Sequence, residues 1–296
     1  MGNGKVITMQ DWMNEWLTTF IQPNRAAKTY SCYKAVINIL GRECPQLSKI
    51  TPHEMDTIQA QKILNGLEFK FAKSTLNSMR VVFHESMQRA CEIHALHALP
   101  LGRLMVPKQA AVKQVRAMTR AEQAAVEEAA ETELLGYLAI FFLRTGLRAA
   151  ELCNLRWDDY NAKNQTIRIL KSKTKAGIRF VPLCTEAQQI ICAQHKCCKD
   201  NAIFHSSTGN PVTEEVLQKL SWRLRRVTGV EFLTTHVYRH TFATRALEDG
   251  MNVKALSKIL GHTDVAFTMQ RYCSPDVNFL REQMNMIDQV RESRKG

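Results

Sequence analysis

The sequence predicts a mainly α protein in two domains, an all-α domain followed by an α-rich domain that carries a small antiparallel sheet. Three observations lead there. Apolar residues recur at helical spacing from residue 5 to about 100. A stretch containing Gly102, Pro107 and several cations then breaks the pattern between Leu101 and Met118. Further on, two short strand-like runs flank a lysine-rich turn. With 296 residues and 45% hydrophobic content, the chain has material for two cores. The expected division is a helical domain over 1–104, a linker over 105–118 and a second domain over 119–296.

The elements follow in order. Met9-Gln-Asp-Trp-Met-Asn-Glu-Trp-Leu17 opens the first helix, and Thr29 precedes a second that carries Tyr33, Val36, Ile37 and Leu40. Thr51-Pro-His-Glu54 has the form of a capping box with proline at the first helical position, a start signal for a third helix. Ser74 leads a fourth through Val81, Phe83 and Met87. The linker's cations, Arg103, Lys108, Lys113 and Arg116, suit a strand running beside a phosphate backbone. Thr119-Arg-Ala-Glu122 is another capping box and opens the second domain. A buried helix is expected over Leu134–Leu143. Strands are expected over Gln165–Leu170 and Ile178–Leu183, joined by Lys171-Ser-Lys-Thr-Lys-Ala-Gly177. Thr185-Glu-Ala-Gln188 caps the next helix.

Composition narrows the partners. The formal charge is +12 and the pI about 9.4, which points toward a polyanion, since each phosphate contact releases counterions. The apolar run Leu134–Leu143 is far too short to span a bilayer, and the first residues lack a secretory layout; the expectation is a cytoplasmic protein without a membrane partner. Nine cysteines, an odd number scattered through helical patterns, read as reduced thiols. Cys192, His195, Cys197 and Cys198 lie close together, but no second ligand pair with suitable spacing follows, so no metal site is assigned.

Four short pieces carry the chemistry: Arg148 in Thr145-Gly-Leu-Arg-Ala-Ala-Glu-Leu152, then His236-Val-Tyr-Arg239, then Leu260-Gly-His262, then Arg271-Tyr272. Together they supply two guanidiniums, two imidazoles and a phenol. Metal-free cleavage of a phosphodiester needs fixed donors for the non-bridging oxygens, a nucleophile and a proton for the leaving oxygen. An arginine fork meets the first need with parallel charge-assisted bonds. Gly146 permits a turn, so that Arg148 opens the next helix, and Glu151, three residues on, is placed to hold its guanidinium. His236 and Arg239, three apart at a helix start, share a face.

The order and spacing of these pieces resemble the tyrosine recombinase, or phage integrase, family. The run His236 to Thr244, then Gly250-Met-Asn, Ile259-Leu-Gly-His262 and Tyr272 follow its catalytic-domain pattern, and the Thr145–Leu152 run matches its first arginine motif. The helical first domain is similar to its core-binding domain, so the likeness covers nearly the whole chain. The resemblance implies a tyrosine recombinase fold and cleavage of DNA by Tyr272 through a 3′-phosphotyrosyl link that frees a 5′-hydroxyl. Arg148 and Arg239 would clamp the phosphate, His262 would add a hydrogen bond, and His236 would act as base toward the tyrosine. A hairpin lysine would protonate the leaving oxygen. Counting back from Val181-Pro182 puts that lysine nearest Lys173, with Lys175 as the other candidate, because the hairpin is one residue longer than the commonest pattern. Joining would need no cofactor.

The tail positions Val277, Leu280, Met284 and Ile287 repeat at helical spacing. Such a helix either folds on its own domain or, as in the family, docks on a neighbouring subunit of a homotetramer. Lys28, Lys73, Asn77 and Arg80 lie near helix starts in the first domain, and with Lys175 they are candidate DNA contacts. Gly250-Met-Asn and His262-Thr-Asp look more like integrases of mobile elements, for which an accessory directionality factor is a further expected partner. Many integrases carry an extra N-terminal arm-binding domain, whereas the core-binding helices here begin almost at Met1. A Xer-like chromosome or plasmid dimer resolvase is therefore the alternative. A type IB topoisomerase, or a DNA-binding module that has lost catalysis, stands further off.

Overall fold

The computed structural model describes residues 7–93, 100–112, 116–170, 177–195, 200–261 and 285. The chain divides into two compact units, Met1–Gln114 and Val115–Gly296.

Unit 1 is helical among its described residues. α1 (Met9–Trp16) is capped by Thr8, whose side chain accepts from the Asp11 amide, and runs on into a π-helical turn, Leu17–Ile21. α2 (Ala27–Glu43), α3 (Thr57–Gly66) and α4 (Lys73–Glu92) complete it. Their apolar faces converge: Trp16 stacks on Tyr33 with centroids 5.8 Å apart, and the indole of Trp12 donates to the Ser86 carbonyl at 3.0 Å. A buried tryptophan keeps its N–H satisfied in this way. Leu76, Met79, Phe83 and Met87 of α4 are fully buried, the spacing of a single helical stripe.

One expectation for this unit needs correction. Only half of the Thr51–Glu54 box forms: the Thr51 amide and hydroxyl donate to Glu54 at 2.7 and 2.9 Å, while the Glu54 amide donates to the Thr51 carbonyl at 3.1 Å and closes only a turn. That turn carries Met55 into the core. α3 starts at Thr57, with Asp56 as its cap accepting from the Gln59 amide at 2.7 Å. The first part of the stretch expected to be an extended linker packs on unit 1. Leu104 and Ala110 are buried in the unit 1 core. The Gln61 amide group both donates to and accepts from the Met105 backbone, at 2.9 and 2.8 Å. Thr57 and Glu68 accept from the amides of Gly102 and Gln109, and the Ala111 carbonyl accepts from the Lys73 amide. At the other end, the Met118 amide donates to the Thr241 hydroxyl at 3.0 Å within unit 2. Side chains thus satisfy a backbone with no ladder of its own.

Unit 2 opens with α5 (Arg120–Thr132), where the Thr119–Glu122 capping box forms in both directions. α6 (Tyr137–Thr145) is the central buried helix, with Leu138, Phe141 and Phe142 inaccessible. It begins three residues later than expected, because Leu135 takes a left-handed φ of 65° and Leu134 stays exposed. α7 (Ala149–Cys153) follows, then a 3-10 turn over Trp157–Asp159. The sheet has antiparallel order β1-β2-β3, from β1 (Tyr160–Asn161), β2 (Thr166–Ile169) and β3 (Arg179–Pro182). The sequence offered no sign of β1, since two residues are too few to show a period. α8 (Thr185–His195), α9 (Glu214–Thr228), α10 (Thr235–Glu248) and α11 (Val253–Leu260) complete the described part. α10 crosses α6, with Tyr238 stacked on Phe142 at 5.8 Å and 9° between planes. No described helix is long and apolar enough to cross a membrane.

Candidate active site

The ends of α6, α7, α10 and α11 meet at one place, and the sequence explains why. Gly146 terminates α6 at a φ of 62°, a left-handed geometry that costs other residues free energy. A Cβ there would lie 2.3 Å from Cδ1 of Phe242 on α10 and 3.0 Å from Leu260 at the end of α11. Only a glycine lets these three helices close.

Two residues later the chain reaches Arg148, which caps α7 with an extended backbone. Its Nη1 donates to Oε1 of Glu151 at 2.7 Å, and its amide donates to Oε2 at 2.9 Å. A longer 3.5 Å bond runs from its Nη2 to the Gly261 carbonyl. Nε and the second hydrogens of both terminal nitrogens have no partner among the described residues, so a guanidinium with five N–H groups still presents an open edge. The Arg148 side chain is 35% exposed.

Arg239 enters from α10 and is 5% exposed. It donates from Nη1 to the Gly146 carbonyl at 2.7 Å and from Nη2 to the Leu260 carbonyl at 2.6 Å. Both acceptors lie at helix carboxyl ends, where unpaired carbonyls and the helix dipole favour a cation. The two arginines, 91 residues apart in sequence, are therefore tied to the same turn at Leu260–Gly261.

His236 is exposed on the first turn of α10, one turn before Arg239. Lys173, Lys175, His262 and Tyr272 lie outside the described residues. In unit 1, Lys28 is exposed in the first turn of α2. Lys73 and Asn77 are exposed, Arg80 is half-buried, and Arg80 Nε donates to Asn77 at 3.1 Å. Spacings of four and three place these last residues on one stripe of α4.

The sequence reading missed Arg179. It stands at the start of β3 opposite Ile169, on the inward face with Val181, and is 8% exposed. Nη1 and Nη2 each donate to a different oxygen of Glu151 at 2.9 Å. Nη1 also reaches the Gly177 carbonyl at 2.9 Å, and Nε donates to the Ile259 carbonyl. The available signal was its phase: an arginine alternating with Val181 and Leu183 on a buried face needs a partner. Burial pushes the Glu151 carboxyl upward, but the Arg179 fork, together with the amide and side chain of Arg148, outweighs it and holds the carboxyl below its ordinary range. Two guanidiniums share this one carboxylate, and Arg239 adds a third positive charge on the turns beside it.

An all-α unit followed by an α-rich unit with a three-stranded antiparallel sheet and a cluster of anchored arginines is the architecture of a tyrosine recombinase. The comparisons agree. The Phage integrase family model matches residues 111–278, more than half of the chain, and the chain belongs to that family. It is thus an enzyme of the tyrosine-type site-specific recombinase class. Tyrosine recombinase XerD of Yersinia pestis is 24% identical over 84% of this chain and 87% of its own length. A XerC-like tyrosine recombinase of Caldanaerobacter subterraneus subsp. tengcongensis is 21% identical over 90% and 79%. Among solved structures, the Tn1549 transposon integrase in complex with a circular intermediate DNA superposes with a TM-score of 0.76 at 19% identity, over 95% of this chain and 99% of that one. A lambda integrase dimer bound to a core site gives 0.71 at 18% identity, over 91% and 97%.

Proposed function

We propose that this protein is the integrase of a mobile element, cutting and rejoining duplex DNA at specific sites with Tyr272 as nucleophile. The observation that carries the reading is the anchoring of Arg148 and Arg239, from separate helices, on the turns at Gly146 and Leu260–Gly261. Fixed guanidiniums that need no rearrangement suit a reaction whose barrier lies in charge on phosphate oxygens. In the cleavage step the Tyr272 oxygen attacks phosphorus, giving up its proton toward His236. The bond from phosphorus to the 5′ oxygen breaks, and that oxygen takes a proton from Lys173, or from Lys175 if the hairpin register differs. Arg148, Arg239 and His262 hold the non-bridging oxygens. The 3′-phosphotyrosyl link conserves the bond, so a 5′-hydroxyl from a second duplex reverses the step and joins the strands without cofactor.

In this reading the 1–104 domain, through Lys28, Lys73, Asn77 and Arg80, holds the recombination site. The tail after Tyr272 links four subunits on paired duplexes, in keeping with the lambda integrase tetramer bound to a Holliday junction. A directionality factor belongs to the same reading. The Xer relatives support dimer resolution as the second reading, and sequencing the DNA that flanks the gene separates the two: an adjacent attachment site favours the integrase.

The chemical test uses nicked duplexes selected from a random pool by the Tyr272→Phe chain. Wild type is expected to form a covalent adduct stable to detergent, and Tyr272→Phe none. An adduct with Tyr272→Phe, or none with wild type, overturns the mechanism. Relaxation of supercoiled DNA without strand exchange transfers the reading to a topoisomerase.

A further inference from the structure

Three successive carbonyls at the carboxyl end of α11 are taken by three arginines from three different elements. Arg179 of β3 takes Ile259, Arg239 of α10 takes Leu260, and Arg148 of α7 takes Gly261. Helix ends leave such carbonyls unpaired, and lysine, backbone or water ordinarily serves them. Here each is held by a guanidinium that is itself fixed elsewhere. Arg239 is fixed on Gly146, and both Arg148 and Arg179 are fixed on Glu151.

Glu151 accepts four bonds, two from Arg148 and two from Arg179, shared between its two oxygens. The carboxylate is saturated, and its position is set from both sides. Gly261 adds a steric term: its φ is 66°, and a Cβ there would stand 2.9 Å from Nη1 and 3.0 Å from Cδ of Arg179. The turn that ends α11 therefore rests on the Arg179 side chain. Stability alone does not explain the arrangement. Arg179 occupies an inward strand position beside Val181, and an apolar residue of similar volume often serves such a place equally well or better than a buried ion pair.

We infer that Arg179 is a positioning residue: it orients Arg148 through Glu151 and holds the α11 turn on which Arg148 and Arg239 both lean, without touching DNA itself. The catalytic consequence rests on the function proposed above, whereas the structural one does not. Lysine would keep the charge, but it lacks the planar fork that spans both Glu151 oxygens and the Nε that reaches Ile259.

The test compares wild type, Arg179→Lys and Arg179→Met as full chains. Hydrogen exchange of the free protein is expected to quicken about tenfold or more in peptides covering 148–153 and 253–261 in both variants, while α6 and the amino-terminal half of α9 keep wild-type protection. On the selected nicked duplexes, the single-turnover adduct rate at saturating DNA is expected to fall about thirtyfold or more in Arg179→Lys, with DNA affinity within about threefold of wild type. Unchanged exchange at 148–153 and 253–261, or a uniform rise throughout unit 2, overturns the inference. So does a variant that loses DNA affinity but keeps its adduct rate. A wild type that forms no adduct defeats the proposed function instead, and the exchange pattern then decides this inference alone.

Discussion

Replacing Glu151 by glutamine removes one negative charge and almost no volume. In wild type the two carboxylate oxygens receive four N–H donors at 2.7 to 2.9 Å, and the residue is 5% exposed. In the variant one oxygen becomes an NH₂ that faces donors, and Arg179, 8% exposed, loses its counter-charge. Breaking one partner of a buried pair costs about 3–5 kcal/mol. Because Arg148 is 35% exposed, water screens its share, and the expected cost sits near the lower end, at about 3 kcal/mol. The pH dependence has a definite sign. The folded carboxyl lies below its unfolded value of 4.5, so its contribution is complete above that value and is lost as pH falls from there through the folded pKa. Within that window the gap between wild type and Glu151→Gln should close by about 1.4 kcal/mol per pH unit. Denaturant titration read by hydrogen exchange in peptides from α6 and α10 follows unit 2 without assuming that the two units unfold together. A gap under about 1 kcal/mol at neutral pH would refute the reasoning, as would a gap that stays constant or widens on acidification.

Gly146→Ala should cost about 1–2 kcal/mol for the left-handed backbone and about 1–3 kcal/mol more for the collision with Phe242. Adding Phe242→Leu should return part of the second term and none of the first; strictly additive losses in the same exchange-monitored titration would rule out the contact as the cause. Lys73→Ala tests the α4 stripe as a DNA contact. Removing one phosphate contact should lower the slope of log affinity against log salt by about 1 across all duplexes tested, and an unchanged slope removes Lys73 from the interface.

Much of the architecture was legible because it is written in local periods. The α4 positions Phe83 and Met87, the Thr119–Glu122 box and the β2–β3 pair all rest on spacings of two to four residues. The bond between Arg148 and Glu151 belongs to the same class, since positions three apart on a helix start face each other. What escaped was non-local. Arg179 meets Glu151 across 28 residues, and only the phase of a four-residue strand hinted that it pointed inward. The Thr51–Glu54 box shows the converse error: the Glu54 half of the local signal forms, but it closes a single turn ahead of the buried Met55, and Asp56 opens the helix instead. Residues 101–111 looked like a linker because the groups that secure them, on Thr57, Gln61 and Glu68, leave no trace in the segment itself.

The two arginines of the site rest on helix ends, which bears on how a phosphate would be received. A carbonyl at a helix carboxyl end attracts a guanidinium and repels an anion. Arg239 spends two N–H groups on the Gly146 and Leu260 carbonyls, and Arg148 spends one on Glu151 and a longer one on Gly261. Those edges are closed to phosphate, so in the function proposed above Arg148 meets the anion with its remaining N–H groups. Each anchored arginine has also surrendered much of its rotamer freedom, worth about 1.5–2 kcal/mol per side chain, during folding rather than on DNA binding. Folding free energy is thereby invested in a site that is already ordered when the scissile phosphate arrives. Unit 2 can bear that cost because the arginine cluster is built against the α6–α10 core, where Phe142 and Tyr238 stack and the helix ends have little room to move.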